Sequence, residues 1–165
     1  MEDLQVELVA YVSVIVAAFG VTGAVLYYVF TLRNQARMRK TDLIMRLFTT
    51  YIGKEFQEAE AKVLSLNVED YAEFKEQYGP YPSEESMHIA IRTVGSFFEA
   101  IGILLKRNLI QMDLVTDLFA IGLRWEKLWP IFRGLREQFD EPGLGIYFEY
   151  LADAEKKVRK SVVKS

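Results

Sequence analysis

Residues 8–32 read LVAYVSVIVAAFGVTGAVLYYVFTL, a run without a single Lys, Arg, Asp, Glu, Asn, Gln, His or Pro. As an α-helix this run would be about 37 Å long, at roughly 1.5 Å per residue. That length exceeds the roughly 30 Å hydrocarbon core of a bilayer, so the helix spans it with some tilt. A helix that is apolar all round must be buried. The run therefore predicts a transmembrane helix.

The charges that flank this run predict its orientation. Glu2, Asp3 and Glu7 precede it, and all 20 Lys and Arg residues follow it. Because cationic flanks stay on the cytoplasmic side, we expect a single-pass protein of the cell membrane with its N-terminus outside and its C-terminal domain cytoplasmic. A cleaved signal peptide would need a basic N-terminal region and an apolar core of about 7–15 residues. The acidic flank and the longer core favour an uncleaved anchor.

The residues after the run have the composition of one ordinary folded domain. About 130 residues are enough for a single hydrophobic core. The chain has no cysteine, which excludes disulfides, thiol nucleophiles and thiolate metal sites. Residues 54–153 carry 10 basic and 18 acidic side chains. We expect no nucleic-acid partner, because such a domain would show a basic surface.

Helical periodicity continues to the C-terminus and no strand alternation is evident. The predicted fold class is all-α, with one N-terminal transmembrane helix followed by a cytosolic bundle of five to six helices. The predicted segments are a short acidic external tail (1–7), the transmembrane helix (8–32), a basic juxtamembrane stalk helix (33–53), the cytosolic helical bundle (54–155) and a basic C-terminal tail (156–165).

Local signals predict where the first helices of the bundle begin and end. Gly53 is expected to separate the stalk helix from the next one. Asn67 is expected to cap a helix that ends at Gly79. Ser83 is expected to cap the longest helix of the domain, which should reach about Arg107.

The second half of the bundle is predicted in the same way. A helix should begin near residues 111–113 and run to Pro130, which should stop or kink it. A further helix then leads to a turn at residues 140–143. The last helix should begin near Leu144 and continue into the basic tail.

No catalytic or metal-binding motif is recognisable. His88 is the only histidine, and imidazole metal sites usually need more than one ligand, so we interpret it as a surface or partly buried residue. Glu55, Glu58 and Glu60 are interpreted as a solvated charged face. We therefore expect no catalytic residue, no metal and no cofactor.

Glu99 is the one acidic residue in apolar surroundings. Gly95 and Gly102, about one turn to either side, would let another helix approach closely. A buried carboxylate must be paired, hydrogen-bonded or protonated. The candidate partners in this buried polar network are Arg124, Arg133 and Arg136. We interpret Glu99 as part of an ion pair that fixes helix register, with a proton-linked or ligand-binding site as the alternative.

Three groups of residues are candidates for external contacts. Small residues recur on one stripe of the membrane helix, where they permit close helix association: Ser13, Ala17, Gly20 and Ala24. Cations directly after that helix are expected to contact lipid headgroups: Arg33, Arg37, Arg39 and Lys40. An aromatic edge formed by Trp125 and Trp129 is interpreted as core packing, with a partner surface as the alternative. The basic tail either returns to the bilayer or extends into water.

Four short segments together form a recognisable pattern of spacing and residue type: Phe97-Phe-Glu99-Ala-Ile-Gly102-Ile-Leu; Leu109-Ile-Gln-Met-Asp113-Leu-Val; Trp125 with Trp129-Pro130-Ile131 and Arg133 or Arg136; and Tyr147-Phe-Glu-Tyr-Leu151. With these segments the chain resembles, from about Phe48 to Lys157, an uncharacterised bacterial and archaeal group, the domain of unknown function 4760 family. The resemblance implies one membrane helix followed by a small helical domain. It implies no activity.

These features predict a membrane-anchored, non-enzymatic interaction protein: an accessory subunit, scaffold or oligomeric adaptor of a membrane complex. Its expected partners are the lipid bilayer and either further copies of the chain or another membrane protein. One alternative is a pore-forming or membrane-effector oligomer built on the small-residue stripe. A second is a carboxylate-based enzyme or ligand sensor in the bundle, which a pocket lined by Glu99, Arg133 and Trp125 would favour.

Overall fold

The computed structural model describes residues 2–162, with side chains described for residues 11, 16–35 and 37–160, and the regular secondary structure of this part is helical. Its helices are α1 (Glu2–Tyr51), α2 (Lys54–Leu64), α3 (Tyr71–Tyr78), α4 (Ser86–Lys106), α5 (Met112–Leu118), α6 (Ile121–Phe139) and α7 (Ile146–Val162). No strand occurs within residues 2–162. The prediction of an all-helical chain with up to six helices after the first is confirmed.

Helix α1 is continuous through the predicted anchor and most of the predicted stalk. The chain divides into two compact units, Met1–Leu43 and Ile44–Ser165, and the boundary falls within α1. The helix ends at Tyr51, and Gly53 is the N-cap of α2. The predicted break at Gly53 is therefore confirmed.

The core of the second unit forms around α4. This helix packs against α2 and α7, while α6 packs against α7, α3 and α2. The side chains of α4 that face this core are fully or nearly fully buried: Met87, Ile91, Val94, Phe98 and Ile101. They are spaced by four and three residues, which is the spacing that places an apolar seam on one helix face.

Helix α3 is capped by Asp70, so the prediction of Asn67 as N-cap is wrong. The Asp70 carboxylate accepts the Glu73 backbone N–H at 2.9 Å, and Glu73 in turn accepts the Glu69 N–H at 2.7 Å. Asp caps a helix as well as Asn does, and Glu73, three residues later, binds the N–H of the residue before the cap in a variant of the capping box. The helix ends at Gly79, which has φ of 80°, as predicted.

Helix α4 begins later than predicted, and Ser83 is not its N-cap. The N-cap is Glu85, whose side chain makes no capping hydrogen bond. The Ser83 hydroxyl instead accepts the Glu85 N–H at 3.2 Å and hydrogen-bonds His88 at 2.5 Å. Ser83 therefore organises the loop before the helix rather than its first turn.

The single helix predicted up to Pro130 is two helices, α5 and α6. They are separated by Phe119 and Ala120, which both have extended backbones. Phe119 is 1% exposed, and its ring meets Tyr51 edge-on with 5.0 Å between centroids. The break between α5 and α6 thus lies where the Phe119 ring is buried in the core.

Pro130 lies inside α6 and does not end it, so the predicted stop, with a separate helix after it, is wrong. Proline removes one backbone hydrogen bond and costs about 3 kcal/mol in a helix interior. Its neighbours Leu128 and Ile131 are completely buried, and their packing keeps both halves of the helix in place. The helix ends instead at Asp140, in the left-handed conformation, within the predicted turn.

Candidate functional site

The apolar part of α1 is uncovered by the rest of the described chain. Side chains at residues 16–30 are all exposed, including Phe19 at 76% and Tyr27 at 75%. Two helical segments, Val16–Tyr51 and Ser86–Lys106, are long and apolar enough to cross a membrane by length and composition alone. The second of these is half buried and is the core helix α4.

The predicted external contacts in the first unit are exposed wherever the structure describes them. Ala17, Gly20 and Ala24 are exposed, and the side chain of Ser13 lies outside the described residues. The cations Arg33, Arg37, Arg39 and Lys40 are exposed as well. Helix association and lipid contact at these residues stay predictions.

Glu99 does not join the arginines that were predicted as its partners. Its carboxylate accepts the backbone N–H of Phe148 at 2.7 Å and that of Tyr147 at 3.3 Å. Both N–H groups belong to the first turn of α7, where backbone donors have no partner within their own helix. Glu99 is therefore a half-buried tertiary cap rather than a buried ion pair.

Arg124 forms a different buried ion pair, with Glu60 of α2. Both Nε and Nη2 of Arg124 lie 2.9 Å from Glu60 Oε1. The guanidinium also donates to the Ala120 carbonyl at 2.5 Å and to the Tyr51 hydroxyl at 3.2 Å. Glu60 is 6% exposed, so its assignment to a solvated face is wrong, whereas Glu55 and Glu58 are exposed.

The other two predicted arginines are not brought together either. Arg136 donates to Glu149 at 2.8 Å and to the Leu144 carbonyl at 2.8 Å, which ties α6 to the start of α7. Arg133 is exposed and lies 3.8 Å from Glu137 on the same helix. In place of the predicted network, Glu99 and the three arginines each have their own separate partners.

The two tryptophans differ in exposure. Trp125 is 5% exposed, and its ring centroid lies 5.0 Å from that of Phe148 and 5.5 Å from that of Trp129. A partner surface at Trp125 is excluded, since the residue is in the core. Trp129 is half buried, with the Arg136 guanidinium 5.3 Å from its ring centroid.

His88 is more deeply buried than the sequence indicated. It is 1% exposed, and its ring lies between Phe74 and Tyr81 with 5.3 Å to each ring centroid. Its Nδ1 is hydrogen-bonded to Ser83, while Nε2 is buried and has no hydrogen-bond partner among the described residues. Burial lowers the pKa of the imidazole below its usual 6.5, and the charge of Glu85 opposes this shift.

A cavity of about 360 Å³ opens between α4, α6 and the connection from α6 to α7. Its apolar lining includes Ile91, Phe132, Leu135 and Leu144, and its polar lining is formed by Tyr81, Arg92, Ser96, Glu99 and Glu141. Burial raises the pKa of Tyr81, and the charge of Arg92 opposes this shift. Glu99 therefore does line a pocket, but Arg92 lines it in place of Arg133 and Trp125.

The described residues contain no group of three or more His, Asp or Glu side chains arranged to hold a metal ion. The cavity has little local signature in the sequence, because its lining comes both from residues 91–99 and from residues 132–145. Its one local signal was the pair Gly143 and Gly145, which both line it.

The sequence model of a domain of unknown function (DUF4760) matches residues 7–154. The chain belongs to this family, which confirms the resemblance seen in the sequence. Comparison with curated proteins and with solved structures gives no match.

Proposed function

We propose that this chain is a single-pass protein of the cell membrane, anchored by residues 8–32 with its N-terminus outside and its helical domain in the cytoplasm. There it acts without catalysis as an accessory subunit, scaffold or oligomeric adaptor of a membrane complex. The uncovered apolar surface of α1 is the observation that supports this proposal most strongly.

The size of that surface supports a lipid bilayer, rather than water, as its surroundings. Eleven large apolar side chains between Tyr11 and Leu32 are more than a third exposed. Burying such side chains yields about 1.5–3 kcal/mol each, on the order of 20 kcal/mol in total. Soluble monomers rarely leave contiguous apolar patches of this extent in water. The charge difference between the two flanks supports the proposed orientation.

Association is supported by the small-residue stripe. A Cβ atom added at Gly20 would meet no atom of the described residues within 4 Å, which leaves room there for a second helix. Close backbone approach is the main route to helix association in lipid. The chain itself, or another membrane protein, would supply that helix.

A pore has less support than an adaptor. The Thr22 and Thr31 hydroxyls donate to the carbonyls of Ala18 and Tyr27 in their own helix, at 2.8 and 2.9 Å. These two hydroxyls are thus already engaged as donors, whereas a conducting lumen needs polar groups that face water.

Single cysteines test anchoring and orientation cleanly, because the chain has none of its own. We expect a membrane-impermeant maleimide to label Asp3→Cys on intact cells and to label Lys156→Cys only after lysis. Both variants should remain in the membrane pellet after alkaline carbonate washing. Labelling of Lys156→Cys on intact cells, or release of the chain by carbonate, would contradict the proposal.

Native mass spectrometry in mild detergent tests the interaction role. We expect either an oligomer of the chain or a stoichiometric complex with a second membrane protein. A monomer that co-purifies with no other protein would contradict an adaptor or subunit role while leaving the anchor intact.

A further inference from the structure

We propose that the cavity between α4, α6 and the α6–α7 connection binds a small zwitterion with an apolar body, namely an α-amino acid with an apolar side chain. This inference rests on the second unit alone and is independent of how the chain is anchored. A volume of about 360 Å³ lies near the lower end of the roughly 300–1,000 Å³ typical of ligand sites. It therefore suits a small ligand.

The floor of the cavity is apolar and fixed. Ile91 and Leu135 are each 1% exposed, and Phe132 is 9% exposed. Two glycines leave room for the Phe132 ring at the floor: a Cβ at Gly95 would lie 3.0 Å from its Cζ, and one at Gly145 would lie 2.7 Å from its Cδ1. The floor thus offers a preformed surface to an aliphatic or aromatic side chain.

One wall of the cavity carries hydrogen-bond donors that the rest of the described chain does not use. Arg92, Ser96 and Glu99 are spaced by four and three residues, so they share one face of α4. Neither the Arg92 guanidinium nor the Ser96 hydroxyl makes a hydrogen bond or ion pair with any described residue. A guanidinium and a hydroxyl one turn apart are suited to a carboxylate, which accepts bidentate bonds from arginine.

The cavity also contains two carboxylates. Glu99 accepts two backbone N–H groups and Glu141 accepts the Gly143 N–H at 3.2 Å, which leaves lone pairs on both carboxylates for further donors. An ammonium group would satisfy these lone pairs. A plain carboxylic acid would bring no cation to the two carboxylates, and a plain amine would bring no acceptor to Arg92. A zwitterion satisfies both charges.

Titration calorimetry on the full chain in detergent micelles tests the ligand class. The probes are L-leucine and L-phenylalanine, each with its deaminated acid (4-methylpentanoate, 3-phenylpropanoate) and its decarboxylated amine (3-methylbutylamine, phenethylamine). We expect saturable binding of at least one amino acid, with its acid and its amine bound at least about tenfold more weakly. Absence of saturation by both amino acids up to about 10 mM would overturn the proposal. The proposal would also be overturned if the acid or the amine bound as tightly as the amino acid from which it is derived.

Substitutions locate the binding. Arg92→Met should weaken amino-acid binding by at least about tenfold, and Ser96→Ala and Glu141→Gln by a few fold. Arg133→Met is the matched control, because Arg133 is an exposed arginine that pairs with Glu137 outside this cavity. Circular dichroism should show that all four variants keep their helicity, since none of the four side chains is buried. Equal affinity of Arg92→Met and Arg133→Met would place the ligand elsewhere and overturn the proposal.

Discussion

The carboxylate of Glu99 on α4 caps α7 by accepting the backbone N–H of Phe148 at 2.7 Å. It also accepts the N–H of Tyr147, so one side chain satisfies two donors that the helix itself leaves unpaired. Its negative charge also lies at the positive end of the α7 dipole. The junction between these helices therefore depends on a cap supplied by a neighbouring helix.

Removal of this cap should destabilise the second unit. Glu99→Ala leaves both N–H groups without their partner, and loss of a helix cap costs about 0.5–2 kcal/mol. Urea unfolding of the full chain in mild detergent, followed by tryptophan fluorescence, measures the loss. Glu76→Ala, at an exposed position of α3, is the control and should unfold like the parent chain. Equal midpoints for the two variants would show that the cap contributes nothing.

Gly102 permits the close approach of α4 and α7. A Cβ at this position would lie 2.1 Å from the Tyr147 carbonyl oxygen, a distance that forces the helices apart. We expect Gly102→Ala to destabilise the unit by about 1–3 kcal/mol or more, although alanine is the better helix former. Gly23→Ala, where a Cβ meets nothing within 4 Å, should leave the unfolding midpoint unchanged. A neutral Gly102→Ala would mean that the two helices are not in close contact in solution.

The Glu60–Arg124 pair should be sensitive to loss of either partner. Its side chains are only 8% and 10% exposed, and removing one member of a buried pair leaves an uncompensated charge that costs about 3–5 kcal/mol. We expect Glu60→Gln and Arg124→Met each to lower the free energy of unfolding by an amount of this order. The combined variant should lose less than the sum of the two.

A matched control for this pair exists on the surface. Arg133 and Glu137 are 65% and 74% exposed, and exposed pairs contribute about 0–1 kcal/mol. Arg133→Met should therefore change the free energy of unfolding by less than about 1 kcal/mol. Similar losses of unfolding free energy in Arg124→Met and Arg133→Met would show that the buried Glu60–Arg124 pair contributes no more to stability than the exposed pair.

The sequence predicts the helices well because apolar periodicity and turn residues are local signals. The seam from Met87 to Ile101 and the boundaries at Gly53 and Gly79 follow from such patterns. The predicted stop at Pro130 is wrong because the cost of this proline is offset by burial of Leu128 and Ile131, which depends on the whole core. Tertiary packing thus overrides a strong local preference.

Side-chain partners were harder to predict than helices. Glu99 was correctly singled out from its apolar surroundings, but its partners are backbone N–H groups 48 and 49 residues away. Glu60 looked solvated because its neighbours Glu55 and Glu58 are. Its burial depends on the position of Arg124, 64 residues later. Contacts at such separations have no signature in a single sequence.

His88 should make the second unit less stable in mild acid. Burial lowers its pKa below the usual 6.5 in the folded state, so the unfolded chain binds a proton more readily. Its contribution to stability is therefore fully present above pH 6.5 and is lost as pH falls through the folded-state pKa. Urea unfolding between about pH 5.5 and 8, above the range where most carboxylates titrate, measures the dependence.

The histidine can be isolated because the chain has only one. His88→Gln does not titrate and should flatten the dependence of the unfolding free energy on pH over that range. Its absolute stability can differ from that of the parent, so the slope rather than the value is compared. An identical slope in the two proteins would assign the pH dependence to other groups.

A larger side chain on the small-residue stripe of α1 should weaken association of this helix. Two glycines of α1 provide a matched pair of positions for the test. Gly20 lies on the stripe with Ala17 and Ala24. Gly23 lies about 90° around the helix from the middle of the stripe, at about 100° per residue. Both positions are open within one chain, since a Cβ at either would meet nothing within 4 Å. If α1 associates through the stripe, Gly20→Ile should block close backbone contact and shift the native mass spectrum in mild detergent toward monomer. Gly23→Ile adds the same volume and the same β-branching and should keep the assembly of the parent chain. Assemblies of equal size in both variants would assign association to a different surface.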